Sequence, residues 1–129
     1  MARILVVEDD ADNRIMLCEL LKSWGYDCDA AESGEAAMDL VQSQCPDVII
    51  SDLAMPGMTG LDLLQAIRAS NRDCQQAAFF LLTGHATVTV GVNAIELGAD
   101  ECLTKPLQID SFRAMLETRG FYGGVNHGR

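Results

Sequence analysis

The stretch DVIISDLAMPGMTG, Asp47 to Gly60, decides how the rest of the chain is read. Its apolar run, Val48-Ile49-Ile50, has the β-branched content of a buried strand. It stops on a carboxylate, Asp52, and passes into a turn rich in Met, Pro and Gly. An acid at the mouth of a buried strand asks for a partner. Outward from this segment, other apolar runs of strand length alternate with longer periodic stretches. ILVV (4–7) and AFFLL (78–82) read as buried strands, YDCDAA (26–31) as a weak alternating one and ECLT (101–104) as a short one.

The segments between them carry helical spacing. Residues 11–24 carry Ile15, Leu17, Cys18, Leu21 and Trp24 at near-helical spacing, with Gly25 as the stop. Ser33 can cap a helix over about 34–44, with Ala37, Leu40 and Val41 inward and Pro46 beyond its end. Thr59 to Arg68 aligns Leu61, Leu64 and Ile67. Residues 87–97 turn Val88, Val92 and Ile95 inward and stop at Gly98. A last helix turns Ile109, Phe112 and Leu116 inward, with Asp110 or Ser111 near its first turn. The pattern is strand-helix repeated five times. It predicts an α/β, doubly wound parallel sheet with helices on both faces and right-handed crossovers.

Open sheets of this kind place their sites at the carboxyl ends of the strands. Four such ends carry chemistry here: Glu8-Asp9-Asp10, Asp52, Thr83, and Lys105 followed by Pro106. Carboxylates brought together repel, or one of them holds its proton, unless a cation joins them. Oxygen ligands without His or Cys favour a hard ion, and Mg²⁺ suits one or two carboxylates with waters left for a phosphate. Lys105 adds positive charge and Thr83 a hydroxyl donor. Together they could bind a phosphoryl group, with Asp52 as a nucleophile that forms an aspartyl phosphate. Singly, each residue has a plainer reading: a helix cap, a turn acid, a strand-end hydroxyl, a surface lysine. Their common position at four different strand ends favours a site.

Composition bounds the rest. The 129 residues, 49% hydrophobic and 22% charged, suit one globular domain. No run approaches the ~18 apolar residues of a membrane span, and the N-terminus turns acidic at Glu8, unlike a signal peptide. A net charge of −10 argues against direct nucleic-acid binding. Five scattered cysteines (Cys18, Cys28, Cys45, Cys74, Cys102) form no CxxC pair and read as reduced thiols of a cytoplasmic protein. The domain is expected over 1–118, with 119–129 as a Gly-rich, disordered tail.

The pieces ILVVEDD (4–10), SDLAMPGMTGLDLL (51–64), LLTGHA (81–86) and GADECLTKP (98–106) resemble, in order and spacing, the receiver domain of two-component response regulators. The resemblance covers about residues 2–118. It implies a flavodoxin-like fold with strand order 2-1-3-4-5. It implies that Asp52 is the phospho-acceptor and also a Mg²⁺ ligand, with Asp9 binding the ion directly, Glu8 largely through water, and the backbone carbonyl of Ala54 adding a ligand. Thr83 and Lys105 would each hold a phosphoryl oxygen, and the Lys105–Pro106 bond would be cis. Ala54 and His85 fall where the family tunes the lifetime of the acyl phosphate. Cys102 stands where the family usually carries a Tyr or Phe that turns inward on activation. Asp10 matches no family role. The implied partners are a histidine kinase or phosphotransfer protein, and an output protein or domain engaged by the face of the fourth helix, fifth strand and fifth helix. The implied protein is not an enzyme beyond catalysing its own phosphorylation and dephosphorylation. Two other classes compete with this reading. A Mg²⁺-dependent phosphatase with an aspartyl-phosphate intermediate commonly needs an acid two residues after the nucleophile, where Ala54 stands. A degenerate interaction module would not keep Glu8, Asp9, Asp52, Thr83 and Lys105 together.

Overall fold

The computed structural model describes residues 2–70, 73–84 and 88–124. Five strands and five α-helices alternate: β1 (Arg3–Val7), α1 (Ala11–Ser23), β2 (Asp27–Ala31), α2 (Gly34–Ser43), β3 (Val48–Asp52), α3 (Gly60–Arg68), β4 (Ala78–Thr83), α4 (Val88–Glu96), β5 (Glu101–Thr104) and α5 (Ile109–Thr118). The strands form one sheet in the order β2-β1-β3-β4-β5, every neighbouring pair parallel. β1, β3 and β4 lie inside the sheet and are the most continuously apolar, because both of their faces are covered.

Local chemistry starts the helices. Asp10 accepts a hydrogen bond from the Asn13 amide at 3.0 Å and Ser33 accepts one from Ala36 at 3.0 Å. Thr59 and Asp62 form a reciprocal capping box at the head of α3. The sheet separates two cores. On one side Leu5, Ile49, Phe79 and Leu81 meet Ala37 and Val41 of α2, Leu63, Leu64 and Ile67 of α3, and Ala94 of α4. On the other, Ile4, Val6, Ile50, Phe80 and Leu82 meet Cys18 and Leu21 of α1 and Phe112 and Leu116 of α5.

The structure corrects the inward reading of Leu40, Val92, Ile95 and Ile109, and turns Ile15 outward as well. Ile15, Leu40 and Ile109 are exposed, as are Val92 (48%) and Ile95 (51%). In α1 the buried pair is Cys18 and Leu21, and Ile15 lies roughly 120° around the helix from Leu21. Leu40 yields the inner face of α2 to the smaller Ala37 and to Val41. α4 seats itself on Ala94, a small residue, which turns Val92 and Ile95 outward. The side chain of Val88 lies outside the described residues. Ile109 shares the stripe of Phe112 and Leu116 but occupies the first turn of α5.

The cysteines are also corrected. Cys45 and Cys74 are disulfide-linked, with Cα atoms 5.1 Å apart, which joins the end of α2 to the 3₁₀ turn Asp73–Gln76 before β4. Cys18, Cys28 and Cys102 are free. No CxxC spacing announces such a link, because the bond joins residues 29 apart in sequence that only the packing of α2 beside α3 and its following turn brings together. The stretch after α5 continues in contact with the domain as far as Gly124. Tyr122 accepts from the Ala2 amide, the Tyr26 hydroxyl donates to Phe121 O at 2.7 Å, and Gly124 N donates to Gly25 O at 2.6 Å. Gly25 has φ +92° and lies against Gly124, so this crossing has no room for a side chain at Gly25. No helix of the described residues is long and apolar enough to cross a membrane.

One close approach bears on the site. A β-carbon on Gly60 would meet the carbonyl oxygen of Asp52 and come within 2.7 Å of Leu81 Cδ1. The first turn of α3 thus packs on the backbone of the central carboxylate. Gly60→Ala is expected to lower stability by about 1–3 kcal/mol, read as a fall in the urea midpoint at unchanged slope.

Candidate functional site

The sheet order brings the strand ends together. Val7 is in register with Ser51, and Asp52 with Leu82, so Glu8 and Asp52 follow on adjacent strands. Thr83 is in register with Thr104, so Lys105 leaves β5 just beyond the end of β4. Glu8 and Asp52 are buried, 5% and 7% exposed, and Thr83 is buried beside them. Asp9 is exposed at the rim. One carboxylate oxygen from each of Glu8, Asp9 and Asp52 lies within 4.8 Å of the others.

Lys105 holds this cluster. Its Nζ donates to Glu8 Oε1 at 3.0 Å and lies 3.2 Å from Asp52 Oδ2. Burial alone would pull the Lys105 ammonium below its ordinary range. The hydrogen bonds to Glu8 and Asp52, with their charges, outweigh that and raise it. The Lys105–Pro106 peptide is cis, and the Lys105 amide donates to Thr83 O at 2.9 Å, which ties the end of β5 to the end of β4.

The residues expected at the site therefore gather at one edge: Glu8, Asp9, Asp52, Thr83 and Lys105. Ala54 is exposed just past Asp52. His85 lies outside the described residues. Asp10 is the N-cap of α1. Cys102, in register with Leu81, is half-buried against the core that α4 also joins, and burial raises its thiol. Two supports had no motif to announce them. Arg14, one turn into α1, donates from Nη1 to Glu8 O at 2.9 Å and so anchors the acidic loop. The buried Ser51 hydroxyl donates to Asp52 O at 2.9 Å. Arg14 reads in the sequence as an ordinary helical arginine, because its partner is a backbone carbonyl.

Two of the three carboxylates are buried, and among the described residues the one ammonium close to Glu8 and Asp52 leaves the cluster with an excess of negative charge. An oxygen-only donor set of this kind fits a hard divalent cation.

The family model described as the response regulator receiver domain matches residues 4–117. The chain is 36% identical over 114 residues to the transcriptional regulatory protein ZraR of Escherichia coli strain K12, covering 88% of this chain and 25% of that protein. It is 34% identical over 116 residues to a probable chemotaxis protein CheY of Rhizobium etli, covering 89% of each. Among solved structures, the chemotaxis protein CheY4 of Vibrio cholerae superposes with a TM-score of 0.85 at 30% identity, over 92% of this chain and 98% of that one. The chain spans about a quarter of the length of ZraR and most of the length of the CheY relative.

The ion pairs make stability depend on pH in a defined window. Lys105 has a folded value raised above its ordinary 10.5. Its contribution is complete below that value and is lost as pH rises through the folded one. In metal-free buffer the stability gap between wild type and Lys105→Met is expected to be constant from neutral pH to about 10, then to shrink above 10.5. Denaturant titrations of both proteins across that range check it.

Proposed function

The chain belongs to the response regulator receiver domain family, and on that premise we propose that Asp52 is the side chain that accepts its phosphoryl group. The observation that carries the reading is the position of this carboxylate: buried at the end of a central strand, 3.2 Å from Lys105 Nζ, with oxygens of Glu8 and Asp9 within 4.8 Å. The donor is a phosphohistidine on a partner histidine kinase or phosphotransfer protein. An oxygen of Asp52 attacks phosphorus, the P–N bond to the imidazole breaks, and an acyl phosphate remains. Little covalent chemistry falls to other residues, so they act by position and charge.

Glu8, Asp9, Asp52 and the carbonyl of Ala54 would hold a Mg²⁺ ion, which when bound supplies positive charge against the phosphoryl oxygens. Lys105 exchanges its contacts with Glu8 and Asp52 for a phosphoryl oxygen, and the Thr83 hydroxyl donates to another. Water then hydrolyses the acyl phosphate and resets the protein. Ala54 leaves the approach to Asp52 uncrowded, and with His85 it occupies a position that sets how long the modified form lasts. The protein works as a switch in the cytoplasm. It is not an enzyme acting on other substrates, and it does not itself bind nucleic acid.

The output runs through α4, β5 and α5 to a downstream protein or domain. Cys102 has no ring to turn, so the coupling falls on α4. That helix is β-branched at Val88, Thr89, Val90 and Val92, with Gly91 inside it, a composition that costs rotamer freedom and roughly 1 kcal/mol at the glycine. Its exposed Val92 and Ile95 add little burial to hold it. Phosphorylation shifts or orders this helix, with Thr83 as the link.

Two measurements test the reading. Mass spectrometry after treatment with acetyl phosphate and Mg²⁺ is expected to show one added phosphoryl group, absent in Asp52→Asn and absent when a chelator replaces Mg²⁺. An unchanged mass gain in Asp52→Asn would overturn the assignment. Hydrogen exchange over 88–97 is expected to be faster than in α1 or α5 in the unmodified protein, and to change with a beryllofluoride mimic and Mg²⁺. Slow exchange there, unaltered by the mimic, would remove α4 from the switch.

A further inference from the structure

Four of the five cysteines stand in pairs, one pair on each side of the sheet. Cys45 and Cys74 are linked in the core under α2 and α3. Cys18 of α1 and Cys28 of β2 meet on the opposite side, Sγ to Sγ at 2.8 Å. We propose that Cys18 and Cys28 form a reactive dithiol, which a small-molecule disulfide converts into a second intramolecular disulfide.

The geometry is close to the bonded one. A disulfide spans about 2.0 Å, so the two sulfurs need to approach by roughly 0.8 Å. Two cysteines that served only as small core hydrophobes would not need to share an opening to solvent. These do. Both line an open cavity of about 300 Å³ with Arg14, Glu19, Lys22 and Asp29, large enough to admit the end of a glutathione-sized disulfide. Cys28 is half-buried and Cys18 more deeply set.

The roles within the pair differ. The contact with Cys28 holds the Cys18 thiol below its ordinary range against the cost of burial, and Lys22 helps. The same contact, with burial, pushes Cys28 far up. With both sulfurs lining the same cavity and in contact with each other, Cys18 takes the part of attacking thiolate in this proposal and Cys28 that of resolving thiol. The Cys18 thiolate attacks one sulfur of the external disulfide. That S–S bond breaks, one thiolate leaves and takes a proton from water, and a mixed disulfide remains on Cys18. Cys28 gives its proton to water and attacks Cys18 Sγ, which expels the second thiolate. Two electrons pass from the dithiol to the external disulfide, which becomes two thiols. The new bond ties α1 to β2, one turn from Arg14, whose guanidinium anchors the Glu8 carbonyl.

The test uses the whole reduced chain with oxidised glutathione, followed by alkylation, digestion and peptide mass mapping. The expected result is a covalent link between the peptides that hold Cys18 and Cys28, with fragment ions that assign it to Cys28 rather than Cys45, and loss of the link in dithiothreitol. Cys28→Ser is expected to stop at one glutathionyl group on Cys18. Cys18→Ser is expected to lose the reaction at Cys28. Circular dichroism establishes that each variant is folded before it is scored. Full alkylation of both cysteines in the treated wild type, or glutathionylation of Cys28 at an unchanged rate in Cys18→Ser, would overturn the proposal.

Discussion

The ammonium of Lys105, 3.0 Å from Glu8 and 3.2 Å from Asp52, is the contact on which the functional edge depends. It joins side chains from the ends of β1, β3 and β5. No local segment could produce it, since 97 residues separate Lys105 from Glu8. It exists because the sheet is parallel and because its order sets β1 beside β3 with β4 alone between β3 and β5. Two buried carboxylates at this range repel each other, and the lysine offsets much of that repulsion in the absence of a metal. A cation and a phosphoryl group would take over the same task, which frees the lysine to move. On the proposed function, the stability of the edge and its capacity to switch would rest on the same charges.

The position of Lys105 depends in turn on the short strand β5. This strand is only partly covered, and a charged network holds it in place. Arg68 of α3 donates to Ala77 O at 2.6 Å, to Gly98 O at 2.8 and 3.0 Å, and to Asp100. Asp100 also accepts from the Phe79 amide at 2.8 Å. Arg119, just past α5, donates to Asp100 O and to Glu101. Arg68 therefore ties the amino-terminal edges of β4 and β5 together, far from the chemistry. Its donors go mostly to backbone carbonyls, where leaving an acceptor unpaired would be costly.

The two sides of the sheet serve different purposes. The α1 and α5 side anchors the acidic loop through Asp10 and Arg14 and carries the Cys18–Cys28 pair. The α2, α3 and α4 side carries the Cys45–Cys74 link and, on α4, the exposed Val92 and Ile95. A matching stretch makes up a quarter of ZraR and most of the CheY relative.

By itself the sequence determined the element order, because strand-length apolar runs and helical periods differ in repeat and are local. It also determined the residues at the four strand ends: Glu8 and Asp9, Asp52, Thr83, and Lys105. Motif order carried the strand order as a family likeness. The rotation of the helices was left to the tertiary structure. Ile15, Leu40, Val92, Ile95 and Ile109 fit an apolar stripe as well as their buried neighbours do, and only docking kept Cys18 and Ala37 inside while turning those residues out and seating α4 on Ala94. Small residues won because they let a helix sit close to the sheet. The cysteine pairs were equally out of reach, since their partners come from different elements. So was Arg14, whose partner is a backbone carbonyl that no side-chain pattern records. Periodicity along the chain is set by backbone geometry, whereas the choice among near-equivalent faces, and every pairing across the sheet, is set by which surfaces fill the space between layers.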